Sequence, residues 1–202
     1  MPVTPVDYPI HALIASRWSP VGFDPRPVEP EKLRSMLEAA RWAPSSRNAQ
    51  PWRFVVGIRG EGETFSMLAE CLTGRNREWA PQAPVLILAV ALTVLPESGR
   101  PHPYALHDTG LATENLLLQA YACGLHAHPM AGFDADKVRA FLGIPDECQP
   151  TTMIAVGYLG TTAHLSESLR DNDARPRMRK PLRELVYGTR WGEAHPLVGA
   201  ED

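Results

Sequence analysis

The sequence predicts a mixed α/β fold. Helix-period segments alternate with short apolar runs of strand type, and a largely hydrophobic helix occupies residues 108–123 near the middle of the chain. Neither Gly-x-Gly-x-x-Gly after a strand nor Gly-Lys-Ser/Thr is present, which removes the usual evidence for a Rossmann or P-loop nucleotide site. Any nucleotide-like ligand must be held some other way.

Taken in order, "PEKLRSMLEAARW" (30–42) predicts an amphipathic helix, with Pro30 in its first turn and Leu33, Met36, Leu37 and Ala40 on one face. Pro44 stops it, so "APSSRNAQPW" (43–52) is expected as a loop. "RFVVGI" (53–58) and "VLILAVAL" (85–92) predict buried strands, with a helix over 61–73 between them. In 108–123 Asp108 or Thr109 can cap the helix and Gly124 ends it, while Leu111, Ala112, Leu116, Leu117, Leu118, Ala120 and Ala122 cover most of its circumference. "GFDADKVRAFLGIP" (132–145) holds a compact helix with Asp134 as cap and Gly143 as stop, and "TTMIAVGYLG" (151–160) a strand. From 161 the chain turns polar and charged, which predicts an arm (161–202) on a single domain spanning 1–202.

Bulk properties exclude several classes. The 202 residues are 44% hydrophobic and 21% charged, ordinary for a soluble domain, and a formal net charge of -3 argues against general nucleic-acid binding. Cys71, Cys123 and Cys148 are odd in number and unpaired in pattern, which suits a reducing compartment. The N-terminal stretch has no basic region followed by an apolar one, and Val85–Leu92 is far shorter than the roughly 20 residues a membrane span takes. A soluble, cytoplasmic protein without nucleic-acid or membrane partners is expected.

Protein-only chemistry is poorly supported. Ser45 and Ser46 lie outside Gly-x-Ser-x-Gly, and their loop carries no histidine to act as base. His126 and His128 would share a strand face, but two ligands are too few for zinc, and His102 and His107 lie in another segment. Glu61 with Glu63, and Asp134 with Asp136, suit solvated faces and helix caps better than acid/base dyads. A chain with a pocket but no dyad draws its chemistry from a cofactor. Two basic clusters then matter: Arg17 and Ser19 in "SRWSP", and Arg175, Arg177, Arg179 and Lys180 in "RPRMRKP". A phosphate monoester favours several guanidinium forks and a hydroxyl donor.

Seven segments, in order, resemble the FMN-dependent nitroreductase family: "RWSPVGFDPRPV" (17–28), "LEAARWAPSSRNAQPWRFVV" (37–56), "APVLILAV" (83–90), "DTGLATENLLLQAYACGL" (108–125), "GFDADKVRAFLGIP" (132–145), "MIAVGYLG" (153–160) and "RPRMRKPLRELVY" (175–187). The most specific is the second, similar to a helix–Pro-Ser-Ser-x-Asn-x-Gln-Pro-Trp–strand motif. The resemblance implies an α/β (α+β) nitroreductase-like fold: a central mixed, mainly antiparallel sheet flanked by helices, with a C-terminal arm exchanged between the subunits of a homodimer. It implies FMN as cofactor and NAD(P)H (NADH or NADPH) as electron donor. Arg17 and Ser19, with Trp18 between them, would hold the FMN phosphate, joined by Arg177 and Arg179. Pro44, Ser45, Ser46 and Asn48 would line the flavin from the partner subunit, and Asn76 would meet the pyrimidine edge of the ring. Pro129, Met130, Ala131 and Gly132 would pack along one ring face, with the amides of Ala131 and Gly132 near ring nitrogen N5. No protein side chain is expected to be catalytic in itself, and no metal is expected.

The implied activity is reduction of nitroaromatics, quinones or similar electrophiles by ping-pong hydride transfer. A flavin-binding protein without turnover, or a specialised relative of semialdehyde-reducing, deiodinase-like or flavin-cleaving type, are the alternatives. Two departures bear on this: Val21 and Trp79 stand where relatives often carry basic residues. The short, Pro-rich 92–106 connection also stands where larger relatives insert helices over the substrate side, which suggests a more open pocket, or one closed by other segments such as the tail near Trp191. Trp42 or Trp52 could supply contact area to the apolar end of the flavin, with Trp52 better placed for core packing.

Overall fold

The apolar run at 85–92 forms a strand buried on both faces, and the rest of the architecture follows from covering it. A computed structural model describes residues 6–198; residues 1–5 and 199–202, the two ends of the expected domain, lie outside these. The elements are α1 (Ala12–Ser16), β1 (Phe23–Asp24), α2 (Pro30–Arg41), β2 (Trp52–Ile58), α3 (Thr64–Glu70), α4 (Asn76–Trp79), β3 (Val85–Leu92), α5 (Ala105–Ala122), β4 (His126–Met130), α6 (Ala135–Leu142), β5 (Cys148–Leu159) and α7 (Glu167–Asp173).

The sheet runs β1-β5-β3-β2, with β4 also paired to β5, and every pairing among the described residues is antiparallel. β5 is the hub, because it alone pairs with three other strands. Alternation along β3 and β5 then sorts side chains onto two faces. Leu86, Leu88 and Val90, with Met153 and Ala155, join α3, Trp79 and Val138 in one core. Val85 and Ile87, with Ile154 and Val156, meet Leu33, Met36 and Ala40 of α2 and Ala112, Leu116 and Ala120 of α5 in the other. A strand between two helical layers has no face to leave polar, which is why β3 reads as a continuous apolar run. Fully burying side chains such as Leu86, Ile87 and Met36 contributes about 1.5–3 kcal/mol each.

Several expected boundaries shift. The helix expected over 61–73 is confined to 64–70, because Gly60 and Gly62 take left-handed backbone (φ 83° and 60°) in the turn that precedes it. α5 begins at Ala105, three residues before the expected cap. Neither Asp108 nor Thr109 caps it: Tyr104 stands at the N-cap position with no side-chain bond, and the Asp108 carboxylate is turned to another segment. Asp134 and Gly143 behave as expected, the first accepting from the Lys137 N–H at 2.9 Å, the second ending α6 at φ 61°.

The segment from 161 docks before it extends. Leu165 and Leu169 are buried in the core around Trp79, and Asp173 accepts from the Val21 N–H at 3.0 Å. Beyond α7, Met178, Leu185, Trp191 and Leu197 are all more than half exposed.

Candidate functional site

Three elements converge on a cluster of arginines. α1 ends at Ser16, and the guanidinium of Arg17 then donates to Ser19 Oγ at 3.2 Å. From the far end of the chain, Arg177 donates to the backbone carbonyls of Arg17 and Ala15. Burial, and then the like charges of Arg17 and Arg179, push the Arg177 guanidinium below the usual arginine range. Three cations are thus assembled within electrostatic reach of one another, an arrangement that an anion relieves. The Nε of Arg177 and the indole Nε1 of Trp18 are buried with no hydrogen-bond partner among the described residues. Trp18 stands edge-on to His126 (ring centroids 6.0 Å apart, 83° between planes), and Tyr121 closes the other side of that imidazole at 5.5 Å. Burial between these rings holds His126 below the ordinary histidine range.

β4 leads from this cluster to the second group. His128 Nδ1 donates to the Pro20 carbonyl at 2.8 Å, which fixes the tautomer and ties the 17–20 segment to the strand. Burial pushes the His128 pKa down, opposed by that hydrogen bond, with the Arg17 charge acting in the same direction as burial. Past the strand, Asn76 Nδ2 donates to the Gly132 carbonyl at 3.1 Å, and the Thr73 N–H donates to the same oxygen at 3.0 Å. A Cβ at residue 132 would stand 2.6 Å from Asn76 Nδ2, so only glycine allows this approach. The N–H groups of Ala131 and Gly132 meet no acceptor among the described residues. Met130 is buried in the core, so its backbone and not its side chain belongs to this surface.

The 43–52 loop is attached elsewhere, to the first turn of α5. It contains a short 3-10 turn, Ser46–Asn48, and three non-glycine residues in left-handed backbone: Arg47 (φ 54°), Asn48 (φ 55°) and Gln50 (φ 49°). Each costs on the order of 1 kcal/mol, more for arginine and glutamine than for asparagine. Asp108 over-determines this conformation. Its carboxylate, 3% exposed, accepts from the Ser46 N–H at 2.9 Å; its other oxygen lies 2.9 Å from His107 Nδ1, and His102 Nε2 is 3.9 Å away. Ser45 Oγ accepts from the Gln50 N–H at 3.0 Å and closes the turn on itself. Within this chain the hydrogen bonds of Ser45 and Ser46 go to the loop and to α5, not to Arg17, Arg177 or Asn76. The sequence assigns Asp108 to a cap; the signal available was a carboxylate in the first turn of a helix whose side chains are mostly apolar.

The aromatic and departure positions resolve clearly. Trp52 is a core residue, whereas Trp42 is 72% exposed and donates Nε1 to Glu38 at 2.8 Å. Trp79 is buried between Phe23 (centroids 6.0 Å, 15°) and His128 (4.5 Å, 35°). Arg77 does not replace a cation there, since its Nε donates to the Leu72 carbonyl. Val21 is buried, with its N–H committed to Asp173. The 92–106 connection forms its own hairpin (Val94 bridged to Pro101, Leu95 N–H to the Arg100 carbonyl at 2.8 Å), while Trp191 pairs with Tyr187 inside the arm and is 92% exposed. The tail of this chain therefore does not cover the loop. No group of three or more His, Cys, Asp or Glu among the described residues suits a metal ion, and no helix among them is long and apolar enough to cross a membrane.

Comparison with known proteins follows the same outline. The sequence signature of the Nitroreductase family matches residues 14–158. The chain is 40% identical over 147 residues to an uncharacterised 15.4 kDa protein of Mycolicibacterium smegmatis, covering 69% of this chain and 97% of that protein. It is 33% identical over 172 residues to an NADH dehydrogenase of Thermus thermophilus, covering 71% and 83%. Among solved structures it is similar to an oxidoreductase containing FMN, at 34% identity and a TM-score of 0.87 over 93% of this chain and 96% of that one. A nitroreductase family protein of Streptococcus pneumoniae superposes with a TM-score of 0.71 at 27% identity, over 87% and 98%.

Proposed function

Because the chain belongs to the nitroreductase family, we propose that it is an FMN-dependent oxidoreductase that takes electrons from NAD(P)H and passes them to nitroaromatics, quinones or similar small electrophiles, donor and acceptor using the site in turn. The observation that carries this reading is the arginine cluster. Arg17, Arg177 and Arg179 are drawn together although they repel, Ser19 adds a hydroxyl, and Trp18 Nε1 and Arg177 Nε are buried without partners. A phosphate dianion is the group such an arrangement stabilises best.

The remaining residues fit the rest of FMN. Asn76 spends its Nδ2 on Gly132, which leaves the amide oxygen to accept from a ring imide. The Ala131 and Gly132 N–H groups supply donors that do not titrate, suited to a ring whose charge changes in turnover. When bound, FMN supplies the electron-storing chemistry; the chain binds, orients and polarises. Ser45, Ser46 and Asn48 complete the site only if they reach it from a second copy, because their own loop is tied to α5. The exposed Met178, Leu182, Leu185, Trp191 and Leu197 supply apolar surface for such a homodimer, with the arm exchanged between subunits. The reading places the enzyme in the cytoplasm, acting on small molecules rather than on nucleic acid or membranes.

The protein is expected to purify yellow, and anaerobic NADH or NADPH to bleach the flavin absorbance. Arg17→Ala should retain FMN at least about tenfold less tightly, the loss of one charge-assisted contact. A colourless protein that takes up no added FMN defeats the reading. Trp79, in place of a cation, favours a second one: a flavin-binding protein without turnover, which would stay yellow with either nucleotide.

A further inference from the structure

We infer that the cleft between the 47–51 turn and the 92–102 hairpin binds a flat aromatic compound carrying a carboxylate, and that this is the electron acceptor's site; the second half of the inference rests on the function proposed above. The cleft encloses about 500 Å3, in the range of small-molecule sites. Its walls divide by chemistry. Pro51, Leu92, Val94 and Leu95 offer apolar surface, while Arg47 and Arg100 line it as well, with guanidinium groups that meet no acceptor among the described residues. Glu97 is the one acidic residue of the lining, so the fixed charges sum to a single positive charge, which matches a monoanion better than a phosphate dianion.

Exposed arginines are commonly solvated, but these two are held. Arg47 sits in left-handed backbone that an arginine side chain disfavours, and the Asp108–Ser46 contact keeps it there. Arg100 lies on a hairpin closed by the Val94–Pro101 bridge and by the His102 N–H to Thr93 carbonyl bond at 2.7 Å. His102 also lines the cleft; its side chain is 5% exposed, and its Nε2 has no hydrogen-bond partner among the described residues. Asn48, the residue expected beside the flavin, stands on the same wall as Arg47. Two guanidinium forks over an apolar slot recognise a ring carboxylate in the plane of the ring.

Calorimetric titration of the protein, carrying whatever flavin it purifies with, tests this with 4-nitrobenzoate and nitrobenzene. Nitrobenzoate should bind about tenfold or more tightly than nitrobenzene, and added salt should shrink that difference. The double variant Arg47→Gln/Arg100→Gln should lose the preference while binding nitrobenzene as before. Equal affinity for the two nitro compounds, or a preference that survives in the double variant, would overturn the inference. Binding heat is read without turnover. A protein that prefers nitrobenzoate yet never oxidises NAD(P)H therefore refutes the reductase reading and leaves the carboxylate site standing.

Discussion

His126 is a base held away from water by two aromatic rings, and both of its ring nitrogens lack hydrogen-bond partners among the described residues. Such a residue ties stability to pH. Burial lowers the folded-state pKa of His126, and of His128 beside it, below the unfolded value of about 6.5. Below that pH the unfolded chain binds more protons than the folded one. The contribution is therefore fully present above about pH 6.5 and is lost as pH falls. Urea midpoints should drop between pH 7.5 and 5.5, and His126→Phe should flatten that slope; an unchanged slope counts against burial as the cause. Asp173 acts in the opposite sense at lower pH, since burial raises its carboxyl pKa against the lowering effect of the Val21 N–H, so acid protonates its folded form first. None of this was visible in "HAH", where spacing gives a shared strand face but not the rings that close over it.

At the level of elements, the 43–52 loop and α5 form one device. The sequence displayed the loop's composition and its bounding prolines, Pro44 and Pro51, and so made it the most specific motif. It did not display the left-handed residues, because a long-range contact to Asp108 helps to hold them. The same contact explains the misplaced start of α5: a carboxylate engaged across the fold is not available as a cap. Asp108→Ala should leave the Ser46 N–H unsatisfied and cost about 1–3 kcal/mol, seen as a melting temperature lower by several degrees. FMN affinity should fall with it. Asp108→Asn, which keeps one acceptor oxygen, should recover most of the melting temperature; equal losses in both variants would mean that charge, and not the Ser46 contact, holds the loop.

For the whole molecule, alternation of apolar segments was enough to place the core strands, and the resemblance supplied an antiparallel sheet that periodicity alone does not distinguish from a parallel one. Sites assembled from distant segments divide in two. Arg17, Ser19, Arg177 and Arg179 meet within one chain, and their convergence was foreshadowed by charge and residue type. Ser45, Ser46 and Asn48 remain with their own helix, so the proposed FMN site takes them from a second chain. Light scattering should give a dimer mass for the intact protein, and removal of residues 176–202 should yield monomer with weakened FMN binding; a monomeric intact protein that retains FMN would show that one chain suffices.

The hub position of β5 has a consequence for how the chain comes into being. The strand that joins β1, β3 and β4 spans Cys148–Leu159, so β1, β2, β3 and β4 all leave the ribosome before their central ladder can form. Until then the apolar β3 has β2 on one edge and nothing on the other, an open template for pairing with a neighbouring nascent chain. Synthesis speed through the first 147 residues, and the chaperones that meet them, thereby become part of what this fold needs.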